Sequence, residues 1–148
     1  MKKTKGKAPV KKGLPVWSWV LLAVVVLGAG FAVFSQLATP GVATLPAEIS
    51  VSKAVQAQTE GAFILDVREP SEWQQFHIAG ATLIPLGELQ SRLSEVPQDV
   101  EVVVVCRTGR RSAEGRDILK DAGYTNVTSM AGGVTEWQAE GFPTVSGS

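Results

Sequence analysis

The feature that most constrains the fold is a run of four valines, Val102–Val105, which a short loop and a predicted helix follow directly. A continuous run of β-branched residues of this length is typical of a strand that is buried on both faces of a parallel sheet. The loop opens with Cys106. The helix is predicted over residues 112–122, and Gly123 ends it. A buried strand that leads through a loop into a helix is the building unit of α/β domains.

The chain after Glu48 repeats this alternation of strand and helix. Further strands are predicted at 49–51, 62–67, 81–84 and 127–130, and further helices at 53–58, from Pro70 onward, at 89–94 and at 134–140. We therefore expect an α/β fold, with a mostly parallel central sheet flanked by helices. In such sheets, ligands bind where the strands end, and Cys106 lies at the end of a strand.

Composition divides the chain into four parts. These are a basic N-terminus at 1–15, an apolar segment at 16–34, a linker of small residues and prolines at 35–47, and a globular domain at 48–145. From Glu48 onward the chain carries 14 acidic and 8 basic side chains. An acidic domain lacks the basic face that nucleic-acid binding requires, so we expect no nucleic-acid partner.

The apolar segment predicts a membrane anchor. Val16–Phe34 holds 19 uncharged residues, and at about 1.5 Å per residue a helix of this length would span roughly 28 Å, close to the ~30 Å hydrocarbon core. Six lysines precede it, which favours a cytoplasmic N-terminus and an extracytoplasmic domain in a single-pass protein of the cell membrane. A signal peptide cleaved near Gly41-Val42-Ala43 is the alternative, and it places the domain on the same side.

The loop after the valines has the composition of an anion site around a nucleophile. Cys106 is the only cysteine, so it forms no disulfide within the chain; it is either kept for its reactivity or buried and inert. Glycine permits a tight loop, arginines supply positive charge, and a helix N-terminus favours a thiolate. We expect Cys106 to be the nucleophile and the rest of the loop to bind an anionic substrate through Arg107, Thr108, Gly109, Arg110, Arg111 and Ser112.

The domain resembles the rhodanese-like sulfurtransferases. The resemblance is carried, in the order of the family, by Leu65–Arg68, Glu72-Trp73, His77–Ala81, Ile84–Leu86, the Cys106 loop, Gly132–Trp137 and Gly141–Pro143. One position departs from the family, because Phe76 stands where glycine usually precedes the histidine-isoleucine pair. This departure puts the local turn in question but leaves the loop intact.

The resemblance implies a single rhodanese-like domain that moves sulfur. Cys106 would take the outer sulfur of a small anion such as thiosulfate and become a persulfide, and cyanide, a thiol or a protein would accept that sulfur. By the same resemblance, Asp66 and Arg68 support the structure near the loop. Rhodaneses carry a six-residue loop, as Cys106 to Arg111 does here, whereas related phosphatases carry a longer one. We expect neither a metal nor another cofactor.

Other functions stay open at this point. The domain could be a persulfide carrier or a protein-interaction module that does not turn over thiosulfate efficiently, or a thiol redox or phosphatase-like enzyme. His77, the only histidine, could act as a general base, although a lone histidine in a loop more often makes structural hydrogen bonds.

Overall fold

The computed structural model describes residues 45–147. Its strands are β1 (Glu48–Ile49), β2 (Phe63–Asp66), β3 (His77–Ile78), β4 (Thr82–Leu83), β5 (Val102–Val105), β6 (Val127–Met130) and β7 (Thr144–Val145). Its helices are α1 (Val51–Thr59), α2 (Pro70–Gln75), α3 (Leu86–Leu89), α4 (Arg110–Asp121) and α5 (Gly133–Ala139), with a short 3-10 turn at Leu93–Glu95.

Five of the strands form a parallel sheet in the order β1-β6-β5-β2-β4, with β5 at its centre. Strands β3 and β7 form a separate antiparallel pair. In the sheet, Asp66 at the end of β2 is opposite Val105 at the end of β5. Because the strands are parallel, the residues that follow both of them meet at one edge, and Cys106 lies there.

The side chains of the four valines of β5 point alternately into two hydrophobic cores, one on each face of the sheet. Val102 and Val104 belong to one core cluster, which includes Leu89 of α3 and Leu119 of α4. Val103 and Val105 belong to the opposite cluster, which includes Trp137 of α5 and parts of α1. Each valine is at most 1% exposed. Successive side chains of a strand point to opposite faces, so a strand covered by helices on both faces must be apolar at every position.

The predicted architecture is confirmed, since the central sheet is parallel and helices cover both of its faces. The strands predicted at 102–105 and 127–130 have those bounds in the structure. The glycines predicted to end helices, Gly123 and Gly141, directly follow the last turns of α4 and α5 with positive φ angles of 94° and 82°.

Several predicted boundaries are wrong. Val51, predicted in a strand, is the first residue of α1, because the Ser50 side chain accepts a hydrogen bond from the Lys53 backbone and caps that helix. The helix predicted over 112–122 begins at Arg110, since Gly109 adopts a left-handed conformation and takes the capping position.

The other differences concern short elements. The helix predicted at 89–94 is wrong as one element, because α3 begins directly after Pro85 and ends at Leu89, and a separate 3-10 turn follows at Leu93–Glu95. Strands β3 and β7 were not predicted, because two residues are too short to show a period-two pattern.

The anchor predicted at 16–34 lies outside the described residues. Between residues 45 and 147, no helix has the length and apolar character that a membrane crossing needs.

Candidate active site

The loop that contains Cys106 connects the centre of the sheet to the longest described helix. Cys106 directly follows β5 and is 1% exposed. Gly109 has a φ of +106°, a left-handed conformation that glycine adopts without strain, and it lets the chain turn directly into α4 at Arg110. The turn brings the positive end of the α4 dipole toward the sulfur of Cys106.

Two groups of the loop contact this sulfur. The backbone N–H of Gly109 donates a hydrogen bond to Cys106 Sγ at 3.1 Å, and the thiol donates to Ser112 Oγ at 3.7 Å. The Ser112 hydroxyl in turn donates to the Gly109 carbonyl oxygen at 2.7 Å, which holds the loop closed on itself. The structure therefore brings together Cys106, Gly109 and Ser112, three of the residues assigned to the site from the sequence.

The start of α5 supports the loop from behind. The backbone N–H groups of Val134 and Thr135 donate to the carbonyl oxygens of Cys106 and Arg107, at 2.8 and 3.1 Å. Gly133 permits this close approach, because a Cβ atom there would collide with both of these carbonyl groups, and its φ of +60° disfavours other residues. The tight turn before α5 thus supports the loop that contains Cys106.

The three arginines of the loop are in different surroundings. Arg111 makes a two-pronged ion pair with Glu72 of α2, at 2.8 Å for each hydrogen bond. Hydrogen bonds from Arg111 hold the pKa of Glu72 below its ordinary value against the opposing effect of burial, and the same contact raises the pKa of Arg111. Arg107 and Arg110 are exposed and form no ion pair among residues 45–147.

Sequence reasoning did not assign Glu72 to the site. One role of Glu72 is local: its carboxylate caps α2 by accepting a hydrogen bond from the Glu69 N–H at 3.2 Å. Its second role depends on Arg111, 39 positions further along the chain, and no local pattern reports a contact over such a distance.

Asp66 and Arg68 form a buried ion pair beside the loop. Their charged groups meet at 2.7 Å, with side chains no more than 1% exposed, and Arg68 also donates to the Phe76 carbonyl oxygen at 2.9 Å. Phe76, the departure from the family pattern, has an extended backbone with φ of −166°, so the absence of glycine causes no strain. Its ring lies 5.5 Å from the Arg68 guanidinium carbon.

His77 belongs to the same region but makes structural contacts. Its ring stacks on Trp73 with centroids 3.6 Å apart, and its Nδ1 lies 3.0 Å from the Trp73 carbonyl oxygen. These contacts fit the structural interpretation of this histidine rather than that of a general base.

Two cavities lie at different places in the domain. A small one of about 30 Å³ lies beside the loop, lined by Arg68, Glu72, Gln75, Phe76 and Arg107. A larger one of about 480 Å³ is lined by residues between 45 and 60 and by Glu101, and none of the predicted site residues lines it. Among the described residues, no group of three or more His, Cys, Asp or Glu side chains could hold a metal ion.

A parallel α/β domain with a thiol in a glycine-turned loop at the end of its central strand belongs to the class of α/β domains that bind ligands where their strands end, here with a cysteine as the candidate nucleophile. The chain belongs to the rhodanese-like family: the family described as "Rhodanese-like domain" matches residues 50–140.

Relatives and solved structures agree with this assignment. The chain is 37% identical over 90 residues to a sulfurtransferase of Allochromatium vinosum, covering 61% of this chain and 84% of that protein. It is 40% identical over 70 residues to the thiosulfate sulfurtransferase PspE of Escherichia coli, covering 46% and 67%. It also resembles the crystal structure of a rhodanese-related protein from Thermoplasma volcanium, with a TM-score of 0.63, 31% identity and coverage of 68% and 98%. These similarities support a sulfur-transfer function of the rhodanese family.

Proposed function

We propose that the domain is a sulfurtransferase that works through a persulfide on Cys106. The sulfur of Cys106 attacks the outer sulfur of thiosulfate, the bond between the two thiosulfate sulfurs breaks, and sulfite leaves with the bonding electron pair. An acceptor such as cyanide or a thiol then takes the outer sulfur and restores the Cys106 thiolate. The observation that carries this proposal is the Gly109 N–H donated to Cys106 Sγ at 3.1 Å, within a loop built for negative charge.

Two exposed arginines of the loop bind the anion in this proposal. Arg107 and Arg110 are exposed and lack a carboxylate partner among the described residues, so they are the cations available to the sulfonate oxygens of a donor. Thr108 is also exposed, while Ser112 lies beneath the sulfur. Burial of Cys106 favours a donor that presents one narrow, terminal sulfur atom.

A persulfide carrier is the second candidate. It would accept sulfur on Cys106 but pass it only to a partner protein, without efficient turnover of thiosulfate and cyanide. The loop geometry suits both candidates, because each needs the same persulfide.

Intact-mass measurement after incubation with thiosulfate tests the common step. We expect one added sulfur on the wild-type chain and none on Cys106→Ser, with circular dichroism showing that the variant is folded. Because Cys106 is the sole cysteine, the adduct has one possible site. A wild-type protein that gains no sulfur would contradict both candidates.

Steady-state formation of thiocyanate separates the two candidates. Turnover with thiosulfate and cyanide, lost in Cys106→Ser, supports the enzyme. Loading without turnover unless a partner protein is added supports the carrier.

We further propose that residues 16–34 anchor the chain in the cell membrane and that the domain faces the extracytoplasmic side. The support is the 19-residue uncharged segment after six lysines. In cells that express the full chain with a C-terminal tag, the tag should remain with the membrane fraction and be digested by protease added outside the cytoplasmic membrane. A tag in the soluble cytoplasmic fraction would contradict this topology.

A further inference from the structure

The geometry points to Glu72 as a positioning residue of the reaction: its carboxylate holds Arg111, keeps this arginine from the sulfur donor, and leaves Arg107 and Arg110 to bind the anion. The inference rests on the proposed sulfur transfer and assigns a role to a residue outside the loop.

The Glu72 carboxylate is fixed from several directions. Arg111 Nη1 donates to one of its oxygens and Nη2 to the other, each at 2.8 Å. The Glu69 backbone N–H donates to it at 3.2 Å, within a capping box at the start of α2. Glu72 is therefore held by its own helix while it holds Arg111, and such two-pronged contacts fix the plane of a guanidinium group.

The Glu72 end of the pair lies beside the loop at a small cavity. Glu72 and Arg107 line the same small cavity, and Arg111 lies in the first turn of the helix that begins after Gly109. A guanidinium group that already donates two hydrogen bonds to a carboxylate has fewer N–H groups left for the oxygens of a donor. Within residues 45–147, the side chains of Arg107 and Arg110 donate no hydrogen bond to the protein, so the charge that meets the donor comes from these two side chains.

The electrostatic consequence follows from the charges around Cys106. The positive side chains are those of the loop and α4, namely Arg107, Arg110 and Arg111. The negative ones are Glu69 and Glu72 of α2 and its cap, and Glu136 in the first turn of α5. The Asp66–Arg68 pair at the end of β2 is neutral as a unit. Removal of the Glu72 charge therefore makes the surroundings of the sulfur more positive by one unit. More positive surroundings favour the thiolate and the bound anion.

The Glu72→Gln variant tests two effects of the carboxylate, the placement of Arg111 and the charge around Cys106. With Arg111 released but still charged, we expect the KM for thiosulfate to fall and kcat to fall by about tenfold, since the donor is held by a misplaced guanidinium. The pH midpoint of the rate of persulfide formation should move to lower pH. A residue with a purely structural role would give lower kcat with unchanged or higher KM and no movement of the midpoint, and that result would overturn the inference.

Glu95→Gln is the matched control. It breaks another two-pronged contact between a glutamate and an arginine, Glu95 with Arg92, at 2.7 Å for each hydrogen bond, and neither residue lines the small cavity beside the loop. We expect wild-type KM, kcat and pH midpoint for this variant. If it reproduced the behaviour of Glu72→Gln, the changes would not be specific to the site.

A second variant covers the case in which Glu72→Gln does not fold. Arg111→Lys keeps the charge but lacks the planar fork, so kcat should fall while the pH midpoint stays in place. An unchanged kcat would contradict the role of the pair.

Failure of the inference is distinguishable from failure of the proposed function. A wild-type chain that takes no sulfur from thiosulfate refutes the function, whereas normal wild-type turnover with unaffected variants refutes only the role of Glu72.

Discussion

At the scale of single residues, the site depends on positions where side-chain size or backbone conformation leaves little choice. Gly109 turns the chain into α4 and donates its N–H to the sulfur, so one glycine provides both the bend and the contact. Gly133 lets the start of α5 reach the carbonyl groups of Cys106 and Arg107. The Cys106 thiol is thus placed by backbone geometry as much as by charged side chains.

Gly133→Ala tests this support. A Cβ atom at this position collides with the backbone of Cys106 and Arg107 and forces a left-handed alanine. We expect a loss of about 1–3 kcal/mol in the free energy of unfolding, measured by urea denaturation, together with slower persulfide formation.

Gly61→Ala is the control for backbone strain alone, because Gly61 has a φ of +98° and no atom within 4 Å of an added Cβ. This variant should lose stability but load sulfur at the wild-type rate once folded. Equal slowing of both variants would show that the Gly133 contact with the loop is not specific.

At the scale of secondary-structure elements, α2 and α4 are joined by the pair of Glu72 and Arg111. Helix α2 has no buried residue, so this pair and the stacking of Trp73 on His77 help to hold it against the rest of the domain. A short helix attached in this way transmits its placement directly to the first turn of α4, and hence to the end of the Cys106 loop.

The pair should make stability depend on pH. Because the Arg111 contact holds the pKa of Glu72 below its ordinary value of 4.5, the pair stabilises the folded state above that pH. The contribution disappears as the pH falls through the folded-state pKa. Thermal unfolding between pH 3 and pH 7 should therefore show a shallower pH dependence for Glu72→Gln than for the wild type; parallel curves would contradict the contribution of the pair.

The elements also show what the sequence could predict. Strand β5 and the loop were predictable because both faces of a central strand must be apolar and because glycine and arginine cluster after it. The pairing of β3 with β7 joins His77 to Val145, and two-residue strands carry no periodic signal. The contact of Glu72 with Arg111 also leaves no pattern in the sequence, because it forms only when α2 and α4 pack together.

At the scale of the whole domain, the candidate active site and the larger cavity lie at opposite ends of the central strand. Cys106 follows the C-terminal end of β5, whereas Glu101 precedes its N-terminal end and lines the larger cavity. Burial, and then repulsion from Glu60, raise the pKa of the Glu101 carboxyl group. An acid with a raised pKa costs stability when ionised, so this end of the sheet is less stable at neutral pH than its packing allows.

Glu101→Gln should therefore stabilise the domain without changing its chemistry. We expect a higher melting temperature at pH 7, a gain that vanishes below about pH 4.5, where the native carboxyl group is protonated as well. Sulfur loading from thiosulfate should be unchanged. A lower melting temperature at pH 7, or altered loading, would contradict this separation of the two ends.

The hydrogen bonds from Val134 and Thr135 to the carbonyl groups of Cys106 and Arg107 have a consequence during synthesis of the chain on the ribosome. The ribosome makes the cysteine well before it makes the residues that brace it. A nascent chain that ends before Val134 carries the thiol without its support, and the same is true of a prematurely terminated product. A chain that ends before Val134 therefore lacks two of the hydrogen bonds that hold the backbone of the Cys106 loop, and we expect it to load sulfur from thiosulfate more slowly than the whole domain does.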